Sequence, residues 1–251
     1  MTDRDQLTAV ILAGGLGTRL RSVVRDRPKV LAEIGGRPFL QYLLDQMLSW
    51  RVSHLVLCTG YLGEQIEERF GPSYHGLRIQ YSREERPLGT GGALRLAAGL
   101  IQSDAVLVLN GDSYCDANVA EFLGAHRSSG AEAALLLTQR ADTRRFGTVQ
   151  VDPQGRILSF EEKKADAGPG LVNAGLYLIE TDLLHRIPGD GAVSLEREVF
   201  PEWIGGRFFG HETSADFLDI GTPESYAVAE TFLARLSARK GCCPRPARQG
   251  A

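Results

Sequence analysis

Strand-like and helix-like segments alternate through the first 110 residues, and this alternation constrains the fold more than any other feature of the chain. Short apolar runs are typical of buried strands, whereas apolar residues that recur every three or four positions indicate amphipathic helices. Strand-like runs cover residues 8–12, 55–57, 77–81 and 105–109, and helical patterns cover 38–48, 64–70 and 91–101. The alternation predicts an α/β fold with a Rossmann-like, mostly parallel sheet flanked by helices.

From residue 132 onward the pattern is richer in strands. Strand-like runs cover residues 133–138, 147–151, 156–160 and 171–179, and helical patterns return at 195–203 and 223–236. The turn residues 152–155 predict a hairpin between the middle two runs, and Thr222 ahead of Pro223 predicts a helix cap. We expect one domain over residues 1–239 that includes a small β-rich subregion, with 240–251 as a disordered tail.

Composition limits the kinds of molecule that the protein is expected to bind. The chain has 251 residues and a formal net charge of -3, which disfavours a nucleic-acid-binding surface. Its apolar runs are too short for a signal-peptide core or a membrane span, so we expect a soluble cytoplasmic protein with no membrane partner. Four cysteines without C-x-x-C spacing and five scattered histidines predict reduced thiols and no zinc site.

A glycine-rich loop follows the first predicted strand. Gly14, Gly15 and Gly17 would let several backbone N–H groups point at one anion, as in a phosphate-binding nest. The third glycine of the dinucleotide fingerprint is missing, and the chain contains no G-K-[ST] segment. Arg19 and Lys29 add charges that suit a polyphosphate, although a solvated basic loop is the alternative.

Two carboxylates lie where predicted strands end. Asp112 follows the run 105–109 directly after Asn110 and Gly111, and Asp219 precedes the capped helix. Mg²⁺ prefers oxygen ligands and commonly uses one or two carboxylates together with substrate phosphates. The pair therefore suggests a magnesium site, whereas ordinary turn and pre-helix contacts are the alternatives.

The motifs together resemble those of the sugar-phosphate nucleotidyltransferases. The segment L-A-G-G-L-G-T-R-L at 12–20 and Pro28-Lys29 carry the strongest likeness. It continues in order through the segments at residues 87–93, 110–112, 146–147, 161–163, 173–175 and 219–223, and so covers nearly the whole chain. The resemblance implies the nucleotide-diphospho-sugar transferase fold, with a nucleotide-binding half at about 1–130 and a sugar-phosphate-binding half at about 131–239.

The resemblance also implies a role for each matching residue. Catalytic cations would be Arg19, Lys29 and Lys163, and metal ligands Asp112 and Asp219. Nucleotide contacts would come from Leu12, Ala13, Gly14, Gly15, Gly17, Thr18, Pro87, Gly89, Thr90, Gly91, Asn110 and Gly111. Sugar-phosphate contacts would come from Gly147, Glu161, Asn173, Gly175 and Glu196. Without the resemblance, Lys163 would be read as part of a solvated charge cluster and Glu196 as a partner of a helix dipole.

Within this family the segments are most similar to those of the D-glycero-α-D-manno-heptose 1-phosphate guanylyltransferases. That likeness implies in-line attack of the sugar 1-phosphate on GTP, with Mg²⁺ and without a covalent enzyme intermediate, giving GDP-heptose for surface glycans. Mannose 1-phosphate guanylyltransferases and uridylyl- or thymidylyltransferases share the same frame and remain open, as does a homo-oligomer.

Two alternatives from other classes also remain. A phosphosugar-binding regulatory protein could keep the fold without turnover. A cytidylyltransferase for phosphocholine would need an aromatic cage around its quaternary ammonium, and the sequence suggests no aromatic cluster near the predicted acceptor residues.

Overall fold

One ten-stranded sheet organises the part of the chain that the computed structural model describes, namely residues 7–15, 17–20, 23–162, 168–189 and 191–239. In chain order, the strands are β1 Thr8–Leu12, β2 Glu33–Ile34, β3 Arg37–Pro38, β4 His54–Thr59, β5 Ser73–Tyr74, β6 Leu77–Arg83, β7 Ala105–Asn110, β8 Ser113–Cys115, β9 Ala133–Arg140, β10 Gly147–Val151, β11 Ile157–Glu162, β12 Gly170–Glu180, β13 Phe208–Thr213 and β14 Phe217–Asp219. The helices are α1 Phe39–Ser49, α2 Gly63–Phe70, α3 Gly89–Ala97, α4 Val119–Ser129, α5 Thr181–Leu184, α6 Phe200–Trp203, α7 Pro223–Ala227 and α8 Ala229–Arg239.

The centre of the sheet is parallel, as the alternation of segments predicts. Strands β7, β1, β4 and β6 lie side by side in that order, and all three of their pairings are parallel. In this register Leu12 at the end of β1 is level with Cys58 on one side and Asn110 on the other. The loops after β1 and β7 therefore leave the same edge of the sheet, which is where ligands bind in open parallel sheets.

Strand β12 joins this parallel centre to the β-rich region. Its second half pairs antiparallel with β7, whereas its first half pairs with β10, and β9 runs along the opposite side of both halves. The change of partner occurs around residues 173–175, where Gly175 has a φ of +70°. A side chain at Gly175 would meet Asn110 and Ser113 at 3.2 Å, so a glycine lets β12 cross close to the end of β7.

Hydrophobic cores lie on both faces of the sheet. Successive residues of β1 point to opposite faces: Ala9 and Ile11 join a core with α1, α4 and α8, while Val10 joins another with α3, α5 and α6. This alternation follows from the two-residue period of a strand, and both faces are apolar because helices cover both. The sheet is therefore a rigid support for the loops at its carboxyl edge.

Several local predictions are confirmed and others are wrong in detail. The predicted hairpin is formed by β10 and β11, and the Thr222 side chain accepts a bond from Ser225 N within a capping box. The pattern at 195–203 is not one α-helix, because Leu195–Val199 forms a π-helical turn before α6. The pattern at 223–236 is split between α7 and α8.

Helix α4 was not predicted from the sequence. Only Val119, Phe122 and His126 are buried along its eleven residues, so its apolar periodicity is weak. The tail prediction for residues 240–251 lies outside the described residues. Within the described ranges, the helices are too short or too polar to cross a membrane.

Candidate active site

A cavity of about 530 Å³ opens at the carboxyl ends of β1 and β7. Most of the predicted site residues line it: Leu12, Ala13, Gly14, Gly15, Gly17, Arg19, Lys29, Pro87, Gly89, Thr90, Asn110, Gly111, Asp112, Gly147, Asn173, Gly175, Glu196 and Asp219. It also includes lining residues that sequence reasoning missed: Val30, Glu84, Ala93, Ser113, Arg145, Phe146, Glu162, Ser194, Arg197, Phe217 and Gly221. The fold thus brings together residues from both halves of the chain.

The glycine loop forms one wall of this cavity. It begins directly after β1 with Ala13, whose N–H donates to the Cys58 carbonyl oxygen at 2.8 Å. Gly17 has a φ of +59°, and a side chain there would lie 3.2 Å from Cβ of Lys29. A glycine at this position therefore lets the loop turn back and pack directly on the residue that carries the cation.

Lys29 forms a short ion pair in the cavity wall. Its Nζ lies 2.6 Å from Oδ2 of Asp112, and the Lys29 side chain is only 13% exposed. Burial by itself would raise the pKa of Asp112, but the Lys29 ammonium outweighs that effect and the pKa is lowered. Arg19 lines the cavity and contributes weakly in the same direction. Asp112 is therefore held as a carboxylate in a positively charged surrounding.

Asp219 is brought to Asp112 by a small two-stranded sheet. Strands β14 and β8 pair antiparallel with Asp219 opposite Ser113, and Ile220 N donates to the Asp112 carbonyl oxygen at 2.9 Å. Burial, and next the Asp112 carboxylate, raise the pKa of Asp219. Arg145 lies 3.3 Å from Asp219 Oδ1. Two carboxylates separated by more than 100 residues thus share one corner of the cavity.

These two carboxylates fit a divalent cation that is also held by substrate phosphates. Both line the cavity, and the pKa of Asp219 is raised by burial and, next, by repulsion from the Asp112 carboxylate. The described residues contain no cluster of three acidic, histidine or cysteine side chains for a metal. A two-carboxylate set suits Mg²⁺, which usually keeps water and phosphate oxygens in its remaining positions.

At another part of the cavity, Glu84 faces the end of β1. Its Oε2 accepts a hydrogen bond from Leu88 N at 3.0 Å, and its Oε1 lies against Gly14 and Gly60. Burial raises the pKa of this carboxyl, and the bond from Leu88 opposes that effect only in part. Sequence reasoning missed Glu84 because it stands ahead of the P-L-G-T-G-G-A segment among other charged residues.

Thr90 and Glu196 join the two halves of the cavity. Thr90 Oγ1 donates to Glu196 Oε2 at 2.7 Å and accepts from Leu195 N at 2.8 Å. Ser194 Oγ also donates to Glu196 Oε2, at 3.0 Å. Burial raises the pKa of Glu196, although both hydroxyl bonds act to lower it. Glu196 therefore supports the loop around Thr90 as well as lining the cavity.

The region around Asn173 lies where β12 changes partner. Asn173 Nδ2 donates to Tyr177 Oη at 2.9 Å, and its Oδ1 accepts from Gly175 N at 2.8 Å. Asn110 ends the neighbouring strand β7 and lines the same cavity. The side-chain amide of Asn173 thus caps the backbone bend that Gly175 permits, and this geometry explains the N-A-G segment at 173–175.

Glu162, rather than the predicted Glu161, lines the cavity. The two residues are consecutive on β11 and pair with Gly147 and Thr148 of β10, respectively. Because successive side chains of a strand point to opposite faces, only one of them can face the site. Among the described residues the cavity lining includes Glu162 and Gly147 but not Glu161, so Glu162 joins the candidate site and the role of Glu161 stays a prediction.

Two aromatic side chains also lie in the cavity, contrary to the expectation of none near the acceptor. Phe146 and Phe217 both line it and pack edge to face, with ring centroids 5.7 Å apart. An arginine accompanies them, because the guanidinium carbon of Arg145 lies 6.0 Å from the centroid of the Phe146 ring. This wall is therefore apolar and cationic together.

Of three further predicted site residues, one lies away from the cavity, and the other two lie wholly or in part outside the described residues. Lys163 and the side chain of Thr18 are not among the described parts of the chain. Gly91 does not line the cavity; its N–H donates to the Val193 carbonyl oxygen at 2.8 Å and fixes the start of α3. Its contribution is to the shape of the loop that holds Gly89 and Thr90.

The fold and the site define a nucleotidyltransferase, and comparison with known proteins agrees. The family described as Nucleotidyl transferase matches residues 8–235, so the chain belongs to that family. The family prediction from the motifs is thereby confirmed.

Individual members of the family and one solved structure can be compared with the chain directly. The chain is 38% identical over 249 residues to a mannose-1-phosphate guanylyltransferase of Mycobacterium tuberculosis, covering 98% of this chain and 68% of the relative. It is 35% identical over 228 residues to the D-glycero-alpha-D-manno-heptose 1-phosphate guanylyltransferase of Aneurinibacillus thermoaerophilus, covering 90% and 98%. The crystal structure of HddC from Yersinia pseudotuberculosis superposes with a TM-score of 0.81 at 31% identity, covering 91% of this chain and 100% of that one. The predicted fold class is therefore confirmed.

Proposed function

We propose that the protein transfers a guanylyl group from GTP to D-glycero-α-D-manno-heptose 1-phosphate, forming GDP-heptose and pyrophosphate with Mg²⁺ in the cytoplasm. The observation that carries this proposal is the meeting of the glycine loop, Lys29 and the carboxylates of Asp112 and Asp219 in one cavity. The named relatives and HddC, which has also been crystallised with GMP-PN, support guanine as the base.

In the proposed reaction, an oxygen of the sugar 1-phosphate attacks the α-phosphorus of GTP. A new phosphorus–oxygen bond forms, the bond between the α-phosphorus and the α,β-bridging oxygen breaks, and pyrophosphate leaves with that electron pair. The attacking phosphate is already an anion, so the protein needs no general base. Arg19 and Lys29 orient the phosphates and stabilise the charge that develops. Asp112 and Asp219 would hold Mg²⁺, which supplies further positive charge when bound.

Glu84 supports guanine over the other bases. An ionised carboxylate only accepts hydrogen bonds, and the base-pairing edge of guanine offers two adjacent donors, N1–H and the 2-amino group. Uracil and thymine have a carbonyl oxygen on each side of a single N–H. These oxygens carry partial negative charge, so the carboxylate would repel them. The bond from Leu88 N orients Glu84 within the cavity wall. A carboxylate at this position therefore favours GTP.

The acceptor side supports a sugar phosphate. Asn173, Glu162 and Glu196 offer polar groups to hydroxyls, while Arg145 and Arg197 suit a phosphate. The same arginines oppose a quaternary ammonium, so the aromatic pair does not make a choline cage despite its rings. The mannose 1-phosphate enzyme of M. tuberculosis, at 38% identity, makes mannose 1-phosphate the second candidate acceptor.

Pyrophosphate release tests both substrates together. The assay crosses GTP, UTP, dTTP, CTP and ATP with heptose, mannose, glucose and N-acetylmuramate 1-phosphates and with phosphocholine. We expect the highest kcat/KM for GTP with the heptose phosphate. Mannose 1-phosphate as the better acceptor would replace the heptose assignment, and turnover only with CTP and phosphocholine would reject the sugar assignment.

A pair of variants tests the carboxylate assignment. Asp112→Ala is expected to lower kcat/KM by more than about 100-fold, since it removes a preorganised charge at the reacting phosphates. Asp104→Ala is the matched control, because Asp104 is exposed and does not line the cavity. Near-normal turnover of Asp112→Ala would refute the metal-ligand role.

A further inference from the structure

Each of the two candidate metal ligands is paired with a cation of the protein itself. Lys29 Nζ lies 2.6 Å from Asp112 Oδ2, and an Arg145 guanidinium nitrogen lies 3.3 Å from Asp219 Oδ1. All four side chains line the same cavity. Each carboxylate that would bind a divalent ion therefore already has a cationic side chain of the protein as a partner.

The two pairs are unequal. The Lys29 and Asp112 side chains are 13% and 32% exposed, whereas Arg145 is 40% exposed beside an Asp219 side chain at 18%. Lys29 is therefore the better shielded of the two cations, and its shorter contact makes it the harder one to displace. An incoming metal ion would have to separate Lys29 from Asp112.

We propose that Lys29 and Arg145 act as placeholders for the metal, so that a bare divalent ion binds the free protein weakly and the metal enters together with the triphosphate. The triphosphate offers the Lys29 ammonium new anionic partners, and this exchange releases Asp112 for the metal without loss of a proton. The inference rests on the proposed function only for the identity of the nucleotide. Lys29 is then a residue that changes partner during binding.

Binding of Mn²⁺ in the absence of nucleotide tests this inference without any turnover. The probe is the electron paramagnetic resonance signal of free Mn²⁺, titrated with wild-type protein and with Lys29→Met, Arg145→Met and Arg197→Met. Lys29→Met is expected to bind Mn²⁺ about ten-fold more tightly than wild type, because it removes the charge of a side chain that is only 13% exposed and in direct contact with the Asp112 carboxylate. Arg145→Met should show a smaller gain in Mn²⁺ affinity, because the Arg145–Asp219 contact is longer and Arg145 is more exposed. Arg197→Met is the control, as Arg197 lines the cavity but forms neither of these two pairs.

Binding of nucleotide by the same variant should change in the opposite direction. Lys29→Met is expected to bind the Mn²⁺ complex of guanosine 5′-(β,γ-imido)triphosphate more weakly than wild type, since it lacks the ammonium that the phosphates would contact. A merely structural role of Lys29 would weaken both ligands. Lys29→Gln, which keeps a polar group, provides a second variant, and thermal melts of both variants check that they fold.

Two results would overturn the proposal. One is wild-type protein that binds Mn²⁺ without nucleotide as tightly as both Lys29 variants. The other is an equal gain in the Arg197→Met control, which would indicate only a change in the overall charge of the cavity. Failure of the proposed function has a different signature, namely no pyrophosphate release with any substrate pair, and it leaves the Mn²⁺ titration unaffected.

Discussion

Glu84→Gln should reduce the preference for GTP while leaving the fold intact. The amide of glutamine keeps one oxygen, so it can still accept the bond that Leu88 N donates at 3.0 Å. In place of the other carboxylate oxygen, the amide has an NH₂ group. This group is a donor and cannot form a hydrogen bond with the donors of guanine. The substitution therefore perturbs base recognition and preserves the local backbone.

The magnitude follows from one charge-assisted hydrogen bond. Such bonds contribute about 1.5–3 kcal/mol, and the half-buried position of Glu84 places the effect near the lower end. A loss of about 1.5–2 kcal/mol corresponds to a roughly 10- to 30-fold lower kcat/KM for GTP. Inosine triphosphate lacks the 2-amino group, so the wild-type enzyme should prefer GTP over it by a similar factor. Most of that preference should disappear in Glu84→Gln.

The assay is kcat/KM for GTP and for inosine triphosphate at saturating sugar 1-phosphate. Glu85→Gln is the matched control, because Glu85 is exposed and does not line the cavity. Burial raises the pKa of Glu84, so acidification through that raised value should neutralise the carboxyl and reproduce the loss of preference in the wild type. A Glu84→Gln enzyme that keeps the full preference for GTP over inosine triphosphate would refute the proposed recognition.

Three further predictions concern the acceptor side, the loop contact and stability. Glu162→Gln should raise KM for the sugar 1-phosphate several-fold with little change for GTP, whereas Glu161→Gln should behave as wild type in the same kinetic assay; the reverse result would restore the original assignment. Thr90→Val removes a donor from the buried Glu196 carboxyl and should lower the free energy of unfolding in urea by about 1–3 kcal/mol; an unchanged value would show that the bond is dispensable. Burial lowers the pKa of His54 from its ordinary value of 6.5, so the unfolded chain binds more protons and stability should fall as the pH drops below 6.5; thermal melts should show a shallower fall in His54→Gln.

Much of the fold could be predicted from local patterns. The individual strands of the parallel centre, the β10–β11 hairpin and the Thr222 cap each depend on residues close in sequence, whose periodicity or turn chemistry is visible along the chain. Helix α4 and the short strand β8 were missed because they are weakly periodic and brief, respectively. Their formation depends on pairing and burial against distant parts of the chain.

Many residues of the candidate site were predicted too, but the contacts between them were not. Arg145 gave no signal because it stands in a charged stretch, and its contact with Asp219 joins residues 74 positions apart in the chain. Glu161 and Glu162 are equivalent in sequence, and the register with β10 decides which one faces the cavity. A single residue of register reverses that orientation.

The sequence by itself determined the family and the order of the motifs, and it predicts that the glycine loop binds phosphate, since these inferences depend on residue types at fixed spacing. The tertiary structure decided that Lys29 pairs with Asp112 and that Glu84 lines the cavity beside that loop. Contacts between residues far apart in the chain depend on strand order, register and burial, which no local pattern encodes.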